Sequence, residues 1–309
     1  MTRCKGRWIV ALAGLLVFQL AACDTYQEKA AKLPDTPLRG EIHISADESF
    51  RPIIEEEVKV YESNYRGTKI NVHYKPEAEC FKDLLVDSIR MIITTRGLSK
   101  QESRFVSDSL QVEPEWLGVA RDAVAVIVHP QLADSLFTMK EIREVLTGSF
   151  KKNLIPVFDG TQATSTVRFI VDSVLRGEEL TPEAMAAQSS EGVIDFVSRN
   201  PGSIGFIGVS WIGNKEDEDQ RSFLKKVKIA HLESTDSAGT FVQPVQNNIY
   251  LGVYPMVRDL FYIRKERHRG LGYGFANFMK ENVGQLIFKR AYLVPTQKKY
   301  TLRPIRLNE

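Results

Sequence analysis

A run of small hydroxyl residues near the middle of the chain has the composition of an anion-binding turn. The segment PVFDGTQATSTVRFIVDSVL joins an apolar strand-like stretch, a turn at Asp159-Gly160 and an amphipathic helix. The first backbone N–H groups of a helix lack partners, so hydroxyls of Thr164, Ser165 and Thr166 would add donors where an oxyanion could sit. Arg168 would bring a forked cation within one turn. The simpler interpretation is that Thr164 or Ser165 only caps a surface helix.

Alternating strand-like and helix-like segments from Gly40 onward must position this turn. The alternation predicts an α/β fold with largely parallel strand pairing. RPIIEEEVKVYESNY carries apolar residues at helical spacing, and AVAVIVHP reads as a strand buried on both faces. Thr138 and Glu141 form a capping-box signature at the head of a further helix, and Gly148 stands where that helix should end.

The first 22 residues resemble a bacterial lipoprotein signal peptide. Basic residues precede an apolar run from Trp8 to Phe18, which is too short to span a bilayer comfortably, and LAAC follows with Cys23 as the lipid acceptor. A single membrane helix is the alternative. We expect cleavage before Cys23, a polar tether over residues 23–39, and a lipid-anchored protein on the periplasmic side of a cell-envelope membrane.

The charge and cysteine counts narrow the function classes. The chain has 41 Lys and Arg against 39 Asp and Glu, and the signal peptide removes three of the basic residues, which leaves 38 against 39. A net charge of about −1 gives no electrostatic footprint for nucleic acid. Beyond the lipid cysteine only Cys80 remains, so no intrachain disulfide is expected and Cys80 is interpreted as a small buried apolar residue.

Four motifs in order resemble the phosphate-binding family of periplasmic substrate-binding proteins, the receptors of phosphate ABC importers. They are FTMKEIREVLTGSF, PGSIGFIG, YPMVRDLFYI and FANFMKENVGQLIFKRAYLVP. The resemblance runs from Gly40 to about Pro295. It implies phosphate or a similar oxyanion as the ligand and an ABC permease or another envelope complex as the partner. No cofactor and no metal are implied.

The resemblance also implies two α/β lobes joined by two crossover strands, with the ligand between the lobes. On this chain the crossings would fall near Ala123–Val128 and Leu251–Ile263. One lobe would then combine residues 40–123 and 259–309, and residues 124–258 would form the other. Such a cleft can close on a small ion about a hinge.

The ligand residues carry over only in part. In the second lobe, Thr164, Ser165 and Thr166 align with the family's Ser-Gly-Thr turn, but the usual arginine and aspartate are absent at Gly160 and Gln162. Arg168 would have to substitute from inside the helix. In the first lobe the resemblance implies Ser49, followed after the third strand by Thr94, Thr95 and Arg96.

Arg96 stands near the place of an aspartate that, in the family, accepts the proton of hydrogenphosphate. An arginine there would favour fully ionised oxyanions, so dianionic phosphate, sulfate and phosphorylated or carboxylated ligands would all be admitted. Two alternatives remain open at this point. Arg96 can belong to a surface or interlobe salt bridge, or Glu48, Glu77 or Glu79 can neutralise an arginine internally so that no ion binds.

Two other classes of function compete with solute capture. Catalysis is disfavoured because the five histidines lack metalloprotease spacing and no nucleophile elbow or Walker loop occurs. The glycines of GLGYG, Gly270 to Gly274, are interpreted as a loop before the last helix. The serious alternative is a binding-fold lipoprotein that serves as a scaffold or sensor for an envelope complex, with a degenerate cleft.

Overall fold

Residues 33–160, 164–214 and 216–297 are described by the structure, a computed structural model of the chain. The predicted signal peptide, the lipid-acceptor Cys23 and Gln162 lie outside these residues. No helix among the described residues is both long enough and apolar enough to cross a membrane.

Helices and strands alternate over most of the described chain. The helices are α1 Arg51–Asn64, α2 Glu77–Asp83, α3 Lys100–Leu110, α4 Met139–Thr147, α5 Ser165–Phe169, α6 Ser190–Arg199, α7 Glu218–Lys226, α8 Gln246–Tyr250, α9 Leu271–Lys280 and α10 Asn282–Arg290. The strands are β1 Gly40–Asp47, β2 Thr68–Lys75, β3 Ile89–Thr94, β4 Glu115–Val128, β5 Leu136–Phe137, β6 Ile155–Phe158, β7 Met185–Ala186, β8 Ser203–Gly208, β9 Lys228–Ile229, β10 His231–Glu233, β11 Phe241–Val242, β12 Val257–Arg264 and β13 Val294–Pro295.

One mixed sheet runs through the molecule in the order β2-β1-β3-β12-β4-β8-β6-β7. Strands β1, β2 and β3 pair in parallel on one side, and β6 pairs in parallel with β7 and β8 on the other. Strands β12 and β4 lie antiparallel between these two parallel groups. The α/β prediction is therefore confirmed, and the pairing is parallel except at the centre.

The long strand β4 joins the two halves of the sheet. Its first part, through Ala123, pairs with β12, and its second part, from Val124, pairs with β8. Residues 123–128 of β4 have no exposed surface, as the unbroken apolar run predicts. We identify β4 and β12 with the two predicted crossover strands, while the lobe bounds that follow from them stay a prediction.

Local signals fix the ends of several elements. At α4, Thr138 and Glu141 make both hydrogen bonds of the predicted capping box, and Gly148 ends the helix with a φ of 78°. The interpretation of GLGYG as a loop was wrong, because Gly270 is the N-cap of α9 and the other residues form its first turn. Asp35 and Glu266 satisfy that turn by accepting hydrogen bonds from the backbone of Leu271, Gly272 and Tyr273.

The apolar core continues across the sheet from one half to the other. Cys80 lies at 0% exposure in a smaller cluster between α2 and β3, and burial raises the pKa of its thiol, so the prediction of a small buried apolar residue is confirmed. Asp35, from the predicted tether, is also buried, so that part of the tether packs against the domain.

Candidate functional site

Three side-chain hydroxyls from the two halves of the molecule meet where β1, β6 and β8 end. Ser49 lies in the short 3-10 turn Glu48–Phe50 after β1, and its Oγ is 3.3 Å from Ser165 Oγ and 3.5 Å from Thr166 Oγ1. Ser165 and Thr166 open α5, where the Thr164 hydroxyl caps the helix by accepting from the Val167 N–H. Ser49, Ser165 and Thr166, called the hydroxyl cluster below, have no exposed surface.

A buried arginine from a crossover strand reaches the hydroxyl cluster. Arg258 Nη1 lies 3.0 Å from Ser165 Oγ and 3.4 Å from Thr166 Oγ1, and its side chain is only 2% exposed. Arg258 Nε donates to Asp122 Oδ2 over 2.9 Å, from β12 to the neighbouring strand β4. This pairing offsets the cost of burying the guanidinium, while Nη2 has no hydrogen-bond partner among the described residues.

The chain folds tightly around this arginine because β8 ends in glycine. A Cβ on Gly208 would lie 3.0 Å from Arg258 Nη2 and 3.3 Å from the carbonyl oxygen of Ser49. That carbonyl accepts hydrogen bonds from the Ser210 hydroxyl and from Trp211 Nε1. The turn that carries Ser49 is therefore fixed from the opposite half of the molecule.

Three further carboxyl groups surround the hydroxyl cluster. Asp159 Oδ2 accepts from Ser49 Oγ over 3.1 Å, Asp47 Oδ1 accepts from the Ser49 N–H over 2.9 Å, and Glu48 Oε2 accepts from Ser190 Oγ over 3.3 Å. We call Asp47, Glu48 and Asp159 the cleft carboxyls. Burial, followed by repulsion from neighbouring carboxylates, raises the pKa of Asp47 and of Glu48 to about 7. Burial also raises the pKa of Asp159.

Arg168 bridges the two halves but does so with a carboxylate of the chain itself. Its Nε donates to Glu77 Oε2 on α2, and its Nη2 donates to Thr95 Oγ1 just after β3. Burial alone would raise the pKa of Glu77. The hydrogen bond and positive charge of Arg168, together with the hydrogen bonds from Thr95, outweigh this effect, so the pKa of Glu77 is lowered. Of the two alternatives left open by the sequence, internal neutralisation therefore describes the arginine of α5.

Arg96 is engaged elsewhere. Its guanidinium makes a two-pronged pair with Glu102 on α3, with both N–O distances at 2.8 Å, and it packs over the ring of Phe81 at 3.9 Å. The hydrogen bonds and positive charge of Arg96 lower the pKa of Glu102 to about 2. Thr94 Oγ1 donates to the backbone oxygen of Arg96. The salt-bridge alternative thus describes Arg96. Because Arg96 is paired with Glu102, the predicted reason for the site to prefer a dianion no longer holds.

The predicted site residues therefore divide into three groups. Ser49, Ser165 and Thr166 come together, with Thr164 as their helix cap. Thr95 and Arg168 form the neighbouring contact with Glu77. Thr94 and Arg96 face other partners. Whether any of the predicted residues binds a ligand stays a prediction.

Sequence reasoning missed Arg258 as a site residue and missed its partner Asp122. Both charges stand in otherwise apolar strand segments, and a charge in a buried strand is costly unless another charge pairs with it. That signal is present in VARDAVAVIV and YPMVRDLFYI, but the pair joins residues 136 positions apart. Only the register between β4 and β12 reveals it.

A groove of about 790 Å³ opens next to the site, and Arg51, Glu191, Ser210 and Trp211 are among its lining residues. Since Ser210 and Trp211 hold the Ser49 carbonyl, the groove reaches the wall of the hydroxyl cluster. No group of His, Cys, Asp and Glu side chains in the described ranges is arranged to hold a metal ion.

Comparison with known proteins connects this fold to binding proteins. The family described as a PBP superfamily domain matches residues 32–282. The phosphate-binding protein PstS of Staphylococcus epidermidis is 20% identical over 280 residues, which cover 85% of this chain and 81% of that protein. Protein SphX of Synechococcus elongatus is 21% identical over 267 residues, covering 81% of this chain and 76% of SphX.

Solved structures give the same fold. A protein from Clostridium perfringens, assigned as a phosphate ABC transporter substrate-binding protein and solved with bound phosphate, superposes with a TM-score of 0.69 at 19% identity, over 83% of this chain and 100% of that one. An ABC-type phosphate transport receptor from Vibrio cholerae gives a TM-score of 0.60 at 16% identity, over 82% and 99%. The two-lobe binding-protein fold is thereby confirmed.

Proposed function

Since the chain belongs to the PBP superfamily, we propose that it is an extracytoplasmic solute-binding protein that captures phosphate or a related oxyanion, for import by an ABC transporter. The names of its relatives support phosphate as the first ligand to test. The single observation that carries the proposal is the hydroxyl cluster around the buried, incompletely paired guanidinium of Arg258.

The chemistry of this cluster suits an oxyanion. Hydroxyl groups donate without bringing charge, and a guanidinium offers a pair of N–H groups in a fixed fork. Arg258 already uses Nε for Asp122 and Nη1 for the hydroxyls, so Nη2 is the donor left for a ligand oxygen. We assign the ligand-facing role to Ser49, Ser165, Thr166 and Arg258.

We further propose the lobe bounds 40–123 with 259–309, and 124–258. With these bounds Ser49 belongs to one lobe and Ser165 and Thr166 to the other, so an ion held by all three hydroxyls would bind only when the lobes are together. Closure would also remove water from the ion and strengthen its hydrogen bonds.

Anchoring of the protein through a lipid on Cys23 is part of the same proposal and rests on the sequence alone. A receptor tethered on the periplasmic side would stay close to a membrane permease. Fatty-acid labelling of the wild type and of Cys23→Ser tests the anchor, since equal labelling of both would contradict it.

A second candidate function is a scaffold or sensor for an envelope protein complex. One observation favours it, because Arg168 is neutralised by Glu77 and Ser49 is bonded to hydroxyls of the opposite half, so the chain's own side chains hold the cleft together. Contacts of this kind would hold the two halves together without a ligand.

Thermal denaturation of the purified protein in detergent separates the two candidates. A ligand at a hundred times its dissociation constant stabilises the folded state by about 2.7 kcal/mol, so solute capture predicts a melting temperature raised by roughly 5–10 °C at pH 6. Phosphate, sulfate and a phosphorylated ligand are tested at millimolar concentration. An unchanged melting temperature with all three would favour the scaffold.

A further inference from the structure

The charges around the hydroxyl cluster do not match a bare anion. Two ion pairs cancel internally, the buried pair of Arg258 with Asp122 and the partly exposed pair of Arg168 with Glu77. The cleft carboxyls Asp47, Glu48 and Asp159 then remain. Arg51 partly balances Glu48, with its Nε 3.9 Å from Glu48 Oε1, and Arg258 is the only cation that acts on both Asp47 and Asp159 among the described residues. If all three were ionised, an incoming oxyanion would meet repulsion rather than attraction.

Several polar atoms of these same residues are unsatisfied. Asp47 is 1% exposed, and its Oδ2 has no hydrogen-bond partner among the described residues; neither has Glu48 Oε1. Arg258 Nη2 is likewise without a partner there. A buried donor or acceptor without a hydrogen bond is costly. The Arg258 nitrogen therefore needs an acceptor from a ligand, and each carboxyl oxygen needs a proton, a hydrogen-bond partner or both.

We propose that Asp47 and Glu48 bind the anion as neutral carboxyl groups that donate their protons in hydrogen bonds to its oxygens. Each group that is ionised in the free protein takes up a proton from solvent when the anion enters, and releases it when the anion leaves. The inference rests on the proposed function and adds two ligand-contacting residues to it.

The surroundings of Asp47 support a neutral carboxyl. Burial is the largest influence, Glu77 and Asp159 repel its charge, and Arg258 together with the hydrogen bond from Ser49 only partly opposes them. Burial, followed by the charge of Asp47, raises the pKa of the Cys80 thiol, so Cys80 brings no positive charge that would favour an ionised Asp47.

The surroundings of Glu48 act in the same direction. Burial is again the largest influence, and Asp159 and Asp47 repel the charge. Arg51 on α1 and the hydrogen bond from Ser190 on α6 oppose these effects. A bound anion adds one more negative charge to both environments and so favours the protonated forms further.

The direction of the pH effect follows from these pKa values. At pH 6 both groups are mostly protonated and ready to donate, whereas at pH 8 both are mostly ionised and must regain a proton before the anion can bind. For a ligand in one fixed ionic form, a protein group with a pKa of about 7 should make affinity fall about tenfold between pH 6 and pH 8, and two coupled groups should give up to about a hundredfold.

Titration calorimetry with inorganic phosphate tests this in detergent-purified wild type and in the double variant Asp47→Asn/Glu48→Gln, whose amides donate hydrogen bonds without titrating. Measurements at pH 6 and pH 8, in two buffers of different ionisation enthalpy, give both the affinity and the number of protons taken up. Glu102→Gln, which changes an acid paired with Arg96 away from the site, is the matched control.

Phosphate itself loses a proton at about pH 7, and this contributes equally to the wild type, the control and the double variant. Relative to the double variant, we expect the wild type and the control to lose a further tenfold or more of affinity from pH 6 to pH 8, and to take up at least half a proton more on binding at pH 8. Equal pH dependence in wild type and double variant would show that the ligand supplies the proton and would overturn the inference. A wild type without detectable phosphate binding at pH 6 would instead overturn the proposed function.

Because Asn at position 47 retains the oxygen that accepts from the Ser49 N–H, the double variant should fold. Glu48→Gln alone, at a partly exposed position, provides a second test if it does not. On a logarithmic scale, the pH dependence of that single variant should lie about midway between those of the wild type and the double variant, and wild-type behaviour in it would contradict a role for Glu48.

Discussion

Arg258 is the residue on which the proposed binding chemistry depends most. Its guanidinium is buried, is paired with Asp122 through Nε and reaches the hydroxyl cluster through Nη1, so a rigid fork is held against the place where an anion oxygen would lie. An ammonium group on a flexible stem cannot reproduce that geometry, although it retains the charge that Asp122 requires.

We predict that Arg258→Lys weakens phosphate binding by roughly 10- to 100-fold, as loss of a charge-assisted hydrogen bond implies. Calorimetry at pH 6 measures the effect, and Arg96→Lys is the matched control because Arg96 belongs to an exposed pair with Glu102. The control should bind within twofold of wild type. A large loss in Arg96→Lys with none in Arg258→Lys would return the site to Arg96.

The contrast between these two arginines shows which individual site residues could be predicted from the sequence and which could not. The hydroxyls of Thr164, Ser165 and Thr166 could be recognised because a helix start is a local signal. The burial of Arg258 could not be predicted, because it depends on strand register. The sequence places Arg96 in the site, but in the structure it pairs with Glu102, six residues further along the chain.

At the contact between helices α1 and α10, the fold buries the carboxyl group of Glu57, which is tolerated only in its neutral, protonated form. Glu57 on α1 has no exposed surface, and neither carboxyl oxygen has a hydrogen-bond partner among the described residues. A Cβ on Gly284 of α10 would lie 3.0 Å from Glu57 Oε2, so the two helices are in close contact there. Burial raises the pKa of Glu57 well above its ordinary value.

Glu57→Gln should therefore stabilise the protein increasingly as pH rises. The unfolded chain ionises Glu57 near its ordinary pKa, while the folded chain keeps it protonated, so wild-type stability falls by up to about 1.4 kcal/mol per pH unit between the two pKa values. Melting temperatures at pH 5 and pH 8 measure the difference. Glu56→Gln, an exposed neighbour, should show little change, and a destabilised Glu57→Gln at pH 8 would contradict a neutral Glu57.

The ends of helices could be predicted wherever the local sequence contains a capping signal. The capping box at Thr138 and the glycine end of α4 are examples. The helix that begins with GLGYG could not be predicted from that segment alone. The N–H groups of its first turn donate to the carboxylates of Asp35 and Glu266, which lie outside the helix. Without those partners a glycine-rich segment has little reason to form a helix.

At the scale of the whole molecule, the contacts between the proposed lobes correspond to a closed cleft. Arg168 meets Glu77 and Thr95, Glu48 meets Ser190, and Trp211 holds the Ser49 carbonyl. The motifs quoted from the sequence could predict the two-lobe fold because they include most of the crossover strand β12 and segments of both proposed lobes. They could not predict closure, which depends on side chains brought together from opposite lobes.

Anomalous diffraction from crystals grown at pH 6 with arsenate, a heavier analogue of phosphate, would locate the bound anion. We expect one strong arsenic peak beside Arg258 and the hydroxyl cluster, with arsenate oxygens within hydrogen-bonding distance of these groups and others facing Asp47 and Glu48. No arsenic peak in the cleft at millimolar arsenate, or a peak at Arg96 instead, would contradict the proposed site.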